Sequence, residues 1–322
     1  MTQGIRGRIF LFGCPRSGTT LLQALLTAHP QVASFPETLF FMKAFGQVER
    51  RIFRKSPVGL RSTLADKRDG WLLYRGILPK RYQERVAKRT RQFLTDVDRE
   101  DLAYCIPESS SSLQEWVNAF VRLMDVLTLD RSRNVWVEKT PYHLYYIDRI
   151  QRYIPNARFI HLVRNGSDVV ASLYDAAQKY QGEDLGATQT HINSYRDVDK
   201  CIEQWNRAVS ITEQYLNHPH HIRVYYEDLV ADTTGVLRNL CEFLELDRSE
   251  NTLQQVLQGY GAAANQVVLS SEPWKAGVKT ASQMLASANG TKFETLFDTS
   301  QRRYILDRLL EGHSTSPNRS AP

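Results

Sequence analysis

The stretch that most constrains this chain is residues 8 to 22, RIFLFGCPRSGTTLL. Ile9, Phe10, Leu11 and Phe12 form a short unbroken apolar run, the pattern of a strand buried on both faces of a parallel sheet. Gly13 then releases the backbone and Gly18 lets it pass close to a bound group. Thr19 opens a helical pattern carrying Leu21, Leu22, Leu25 and Leu26. A strand, a loop and a helix start in this order make an anion site. The first N–H groups of the helix have no intrahelical acceptor, and the positive end of its dipole lies there.

The spacing from Gly13 to Gly18 is that of a P-loop, but Thr19 stands where a nucleotide kinase or ATPase has its lysine. Such an enzyme sets the lysine on the β- and γ-phosphates and the next hydroxyl on Mg²⁺. Here the nearest cation is Arg16, inside the loop, and two hydroxyls, Thr19 and Thr20, follow the second glycine. A phosphatase reading of Cys14 fails similarly, because Thr20 occupies the place of the arginine that such a loop needs. A plain glycine turn between a core strand and a helix has the same spacing, so further residues must decide.

Residues 158 to 174, RFIHLVRNGSDVVASLY, supply them. Arg164 leaves the C-terminal end of an apolar strand, Phe159 to Val163, where the ligands of open α/β sheets collect. Ser172 lies near it if the turn enters the next helix at about Asp168. A forked guanidinium and a hydroxyl would then bracket one phosphate.

CPRSGTTLL and this second segment resemble the 5′-phosphosulfate and 3′-phosphate motifs of the sulfotransferases that use 3′-phosphoadenosine 5′-phosphosulfate (PAPS). The resemblance implies a single α/β domain with a central parallel sheet, helices on both faces and a P-loop-like first turn. It implies PAPS as co-substrate and adenosine 3′,5′-bisphosphate as product, with Arg16, Ser17, Gly18, Thr19 and Thr20 around the 5′-phosphosulfate and Arg164 and Ser172 on the 3′-phosphate. No metal is expected, since cationic side chains take the place of Mg²⁺.

Three further segments fit the resemblance. In AHPQVASFPETLFF, residues 28 to 41, His29-Pro30 ends the first helix. Glu37 follows where glycosaminoglycan and protein-tyrosine sulfotransferases carry their general base, although Pro36-Glu37-Thr38 also suits an ordinary first helical turn. NVWVEKTP, residues 134 to 141, reads as a second buried strand ending in Glu138 and Lys139. The resemblance makes Lys139 a partner of Arg16 in stabilising charge on the transferring group. A helix is expected from Tyr142 to Tyr153, with His143 and the strand residue His161 in packing roles. RVYYEDLVAD, residues 223 to 232, resembles the family's YEDL segment and makes Tyr226 the adenine contact; Glu227 and Asp228 are expected only to start a helix. EPWKAGVKTAS, residues 272 to 282, matches the late 3′-phosphate loop loosely, giving Lys275 and Lys279 as ligands or as an exposed loop.

The remaining sequence bounds the reading. A chain of 322 residues suits one large α/β domain, taken here as 1–311 with a variable, mainly helical acceptor-side insertion at 43–133 and a disordered tail at 312–322. Its net charge of +6 suits an anionic ligand, but the basic residues are scattered and no nucleic-acid module is present. Cys14, Cys105, Cys201 and Cys241 lack metal-type pairing and form no disulfide framework. The apolar run after residue 8 is too short and too broken by glycine for a signal peptide or a membrane span, so a cytoplasmic protein is expected. The acceptor is expected to be a small molecule with a hydroxyl or an amine, with carrier-bound acyl, carbohydrate or peptide acceptors also open. Two rivals remain: a small-molecule kinase using ATP and Mg²⁺, and a nucleotide- or polyanion-binding protein without turnover.

Overall fold

Strand β1 (Gly7–Gly13) forms on the expected apolar run and lies at the centre of a five-stranded sheet. With β2 (Val32–Ser34), β3 (Val135–Lys139), β4 (Arg158–Val163) and β5 (His221–Tyr225) it is ordered β2-β3-β1-β4-β5, and every pairing is parallel. The computed structural model describes residues 4–52, 64–180, 193–269 and 291–310. Lys275, Lys279 and the expected tail at 312–322 lie outside the described residues.

Alternation along β1 divides the core between the two faces of the sheet. Phe10 and Phe12 join one cluster with Trp136, Phe41 and Phe159, while Ile9 and Leu11 join another with Leu22, Leu25 and Val137. The first face carries α2 (Phe40–Ile52), α3 (Leu64–Tyr74), α4 (Lys80–Asp96), α5 (Leu113–Asp130), α6 (Ile147–Tyr153), α7 (Gly166–Lys179) and α8 (Val198–Gln214). The second is covered by α1 (Thr19–Ala28), α9 (Tyr226–Ala231), α10 (Thr233–Leu244) and α11 (Glu250–Val267). Short helices α12 (Thr291–Leu296) and α13 (Thr299–Leu306) follow. Helices on both faces of a parallel sheet are what its doubly buried strands require.

The sheet brings five loops to one edge. Gly13 ends β1, Ser34 ends β2, Lys139 ends β3, Val163 ends β4 and Tyr225 ends β5, all at the carboxyl side. In register, Leu11 stands opposite Lys139 and Gly13 opposite Leu162. Gly13 is required there: a Cβ would overlap the Leu162 carbonyl oxygen.

Three local expectations shift. The helix expected from Tyr142 to Tyr153 is a 3-10 turn, Pro141–Tyr146, followed by α6, because His143 N–H bonds back to the Thr140 carbonyl at 2.9 Å and folds its ring under Glu138. Helix α7 begins at Gly166 rather than near Asp168, since the Asn165 side chain accepts from Ser167 N–H and caps the helix two residues earlier. Glu37 stands ahead of α2 in an irregular turn, which Leu39 closes with φ 56°.

Candidate active site

The loop after β1 has the strained geometry of an anion cradle. Arg16 adopts φ 73° and Gly18 φ 94°, and Ser17 N–H bonds the Cys14 carbonyl at 3.1 Å. Left-handed backbone at a non-glycine residue is costly and concentrates at functional sites. Gly18 is the residue before α1, and no side chain caps that helix. The Ser17 hydroxyl is buried without a hydrogen-bond partner among the described residues.

Around this loop the chain assembles groups far apart in sequence. Arg16 Nε donates to Ser172 Oγ at 3.1 Å, joining the loop directly to α7. Burial pushes the Arg16 guanidinium below its ordinary pKa; Tyr180 offsets this in part, and the positive charge of Arg164 adds to it. Arg164 pairs with Asp168 at 3.3 Å, and its guanidinium lies 4.4 Å from the centre of the Tyr226 ring. The same ring meets the loop, where a Cβ on Gly18 would come within 2.5 Å of two ring carbons. Tyr226 therefore packs against both Gly18 and Arg164. An indole N–H of Trp205 holds the Arg164 carbonyl at 2.9 Å, and the next N–H, of Asn165, donates to Glu227 at 2.9 Å. Burial, the largest influence, raises the pKa of Glu227 despite that N–H bond.

A second constellation sits at the ends of β2 and β3. Lys139 Nζ pairs with Glu37 Oε1 at 2.6 Å; the lysine is 1% exposed and the glutamate 17%. The backbone of that turn is held by Arg89 of α4, whose Nε donates to the Thr38 carbonyl at 3.1 Å and whose Nη2 reaches the Glu37 carbonyl.

The structure thus collects Arg16, Ser17, Gly18, Thr19, Thr20, Arg164, Ser172 and Tyr226 around one loop, and Glu37 with Lys139 beside it on the same sheet edge. Lys139 is observed with Glu37 and Arg16 with Ser172. Sequence reasoning missed Arg89, Trp205 and Glu138. Only Glu138 carried a signal, a carboxylate inside a doubly buried strand, which needs buried donors to be tolerated. Among the described residues no group of three or more His, Cys, Asp or Glu side chains converges as metal ligands, and no helix is long and apolar enough to cross a membrane.

A parallel sheet with helices on both faces, a P-loop-like cradle after its central strand and cations gathered at its carboxyl edge defines a class of α/β group-transfer domains. Within that class the family is settled by the sequence: residues 8–250 match the model of the sulfotransferase family, and the chain belongs to it. It is 25% identical over 268 residues to protein-tyrosine sulfotransferase A of Caenorhabditis elegans, covering 82% of this chain and 57% of that protein. Against protein-tyrosine sulfotransferase 1 of Danio rerio it is 27% identical over 247 residues, 76% of this chain and 55% of the relative. The chain therefore spans little more than half the length of either relative. In fold it is similar to the sulfotransferase domain from the curacin biosynthetic pathway, with a TM-score of 0.53, 22% identity and coverage of 94% of this chain and 97% of that one. A mouse sulfotransferase complexed with PAP gives a TM-score of 0.50 at 11% identity, covering 95% of this chain and 85% of the other.

Proposed function

We propose that this protein transfers the sulfuryl group of PAPS to a hydroxyl or amine acceptor and releases adenosine 3′,5′-bisphosphate. The observation that carries the reading is the Glu37–Lys139 ion pair at 2.6 Å, standing on the same sheet edge as the anion cradle: a base and a cation beside an anion site. The cradle fits a phosphate-type anion on three counts: the buried Ser17 hydroxyl has no described partner, α1 lacks a side-chain cap, and the positive charge of Arg164 acts on the buried Arg16 guanidinium, a repulsion that an anion would offset.

PAPS supplies the sulfuryl group; the chain's own residues supply position and charge. The N–H groups and hydroxyls from Arg16 to Thr20 hold the 5′ end, and Arg164 with Ser172 selects the 3′-phosphate, which excludes ATP as an equal ligand. Tyr226, packed beside Gly18 of the cradle and Arg164, borders the adenine of the nucleotide. Glu37, the more exposed member of its pair, takes the acceptor proton on a carboxylate oxygen. That proton neutralises Glu37 and weakens its hold on the Lys139 ammonium as negative charge develops on the departing phosphate.

The acceptor proposed is a small molecule. The protein-tyrosine sulfotransferase names of the relatives favour a second reading, a tyrosine-bearing peptide. Thermal shift in chelator tests the donor. Adenosine 3′,5′-bisphosphate at a hundred times its Kd adds about 2.7 kcal/mol of stability, whereas stabilisation by ATP with Mg²⁺ alone would replace the reading with a kinase. Bisphosphate release from PAPS with 4-nitrophenol, a tyrosine peptide and a primary amine then separates the acceptors.

A further inference from the structure

Glu138 is buried at 1% exposure, one residue before Lys139, yet it takes no part in the proposed chemistry. Four donors converge on it. Its Oε1 accepts from Thr38 N–H at 3.3 Å, Thr38 Oγ1 at 2.7 Å and Thr140 Oγ1 at 2.6 Å, and its Oε2 faces His143 Nδ1 at 2.7 Å. One oxygen with three donors is the arrangement of an ionised carboxylate. Burial opposes that charge, but the His143 imidazole and the two hydroxyls outweigh burial and hold Glu138 below its ordinary pKa.

The imidazole is fixed equally closely. Its ring packs against Phe10, Phe41 and Tyr146, and its Nε2 is buried without a hydrogen-bond partner among the described residues. Because Nδ1 faces a carboxylate, Nδ1 carries the proton and donates it. The ring lies within the core beneath the sheet edge, so it belongs to the support of the site.

The network acts on the turn that carries Glu37. Thr38 is bound to Glu138 twice, and Leu39 N–H donates to Thr140 Oγ1 at 3.3 Å while Leu39 holds its left-handed conformation. Arg89 also grips the carbonyls of Glu37 and Thr38. A strained turn persists only when its surroundings over-determine it, and here the restraints converge on the residues that follow Glu37.

We infer that Glu138 and His143 are positioning residues: a buried carboxylate–imidazole clamp that fixes Thr38 and Leu39 and so aims the Glu37 carboxylate at Lys139 and the acceptor. The inference rests on Glu37 being the base of the proposed reaction. Glu138→Gln is the test, since it keeps the volume and removes the charge. Its amide N–H₂ opposes the His143 Nδ1 proton and drives that proton to the unpartnered Nε2.

In a folded Glu138→Gln protein, kcat with whichever of the three acceptor probes the wild type sulfates falls by about ten- to a hundredfold, the scale of a misplaced catalytic group. Affinity for adenosine 3′,5′-bisphosphate stays within about twofold, since the clamp does not touch the cradle. The Glu37→Gln/Glu138→Gln protein is no slower than Glu37→Gln, because no base remains to be aimed. Multiplicative losses, or unchanged kcat in Glu138→Gln, overturn the inference. His143→Gln, which restores an N–H donor, retains more activity than His143→Leu; equal losses also overturn it. Amide hydrogen exchange reads the clamp without turnover: Thr38 and Leu39 exchange faster in Glu138→Gln. Unchanged exchange there refutes the clamp, whereas no sulfation by a wild type with protected amides counts against the proposed activity instead.

Discussion

Gly18→Ala is the most informative single change, because the structure states its cost in two parts. At φ 94° an L-residue bears the left-handed penalty of about 1–2 kcal/mol. The new methyl would also stand 2.5 Å from two carbons of the Tyr226 ring, about 1 Å short of ordinary contact. That ring cannot move freely, because the Arg164 guanidinium lies 4.4 Å from its centre and is itself tied to Asp168. Overpacking of this kind costs about 1–3 kcal/mol. Together the two parts amount to about 2–5 kcal/mol, a fall in Tm of roughly 3–7 °C for a domain of this size. The displaced ring carries Arg164 with it, so affinity for adenosine 3′,5′-bisphosphate falls by at least about tenfold, equivalent to 1.4 kcal/mol. Calorimetric titration and thermal melts measure both quantities. In a Tyr226→Ala background the same substitution should cost only the backbone part, so the double-mutant cycle isolates the contact. Unchanged Tm and affinity in Gly18→Ala, or an equal cost with and without the ring, would refute the packing of Tyr226 against Gly18 and Arg164.

Arg164→Ala should weaken adenosine 3′,5′-bisphosphate more than adenosine 5′-monophosphate, read by titration; equal weakening of the two would withdraw the 3′-phosphate role. Acid should destabilise the fold through a histidine pair between β4 and the start of β5. His161 Nε2 and His221 Nδ1 are 2.8 Å apart; burial and then His221 hold His161 well below its usual value, and burial followed by His218 and His220 lowers His221 to about 3. The unfolded chain binds protons here that the folded chain refuses. The stabilisation is therefore complete above about pH 6.5 and is lost towards pH 3, by about 1.4 kcal/mol per pH unit for each histidine. Urea midpoints at pH 7 and pH 5 measure it, and a flat profile would contradict neutral burial of the pair.

Much of this arrangement is legible in local sequence because local physics fixes it. The run Ile9 to Phe12, the two glycines and the leucine periodicity specify a strand, a turn and a helix within fifteen residues, and those elements form where expected. The strands ending at Lys139 and Val163 declare themselves by apolar runs that lead to a charged residue, the second interrupted by His161. Strand β2 is three residues long and too short to carry a period. Ser112 caps α5 by accepting from Glu115 N–H, a local device of the helix start. His161 was legible as a core histidine, and it is buried between Thr212 and His221.

The sequence by itself determined the parallel α/β sheet, the cradle after β1 and the identity of the charged residues at the strand ends, because each is encoded in a pattern shorter than about twenty residues. Only the tertiary structure decided which of those residues meet. Glu37 finds Lys139 and Thr38 finds Glu138 across about a hundred positions of sequence, and Arg16 finds Ser172 across more. Those encounters depend on strand order and register, which place Leu11 beside Lys139 and Gly13 beside Leu162. Long-range pairing is set by how the whole core packs, and no local window contains it.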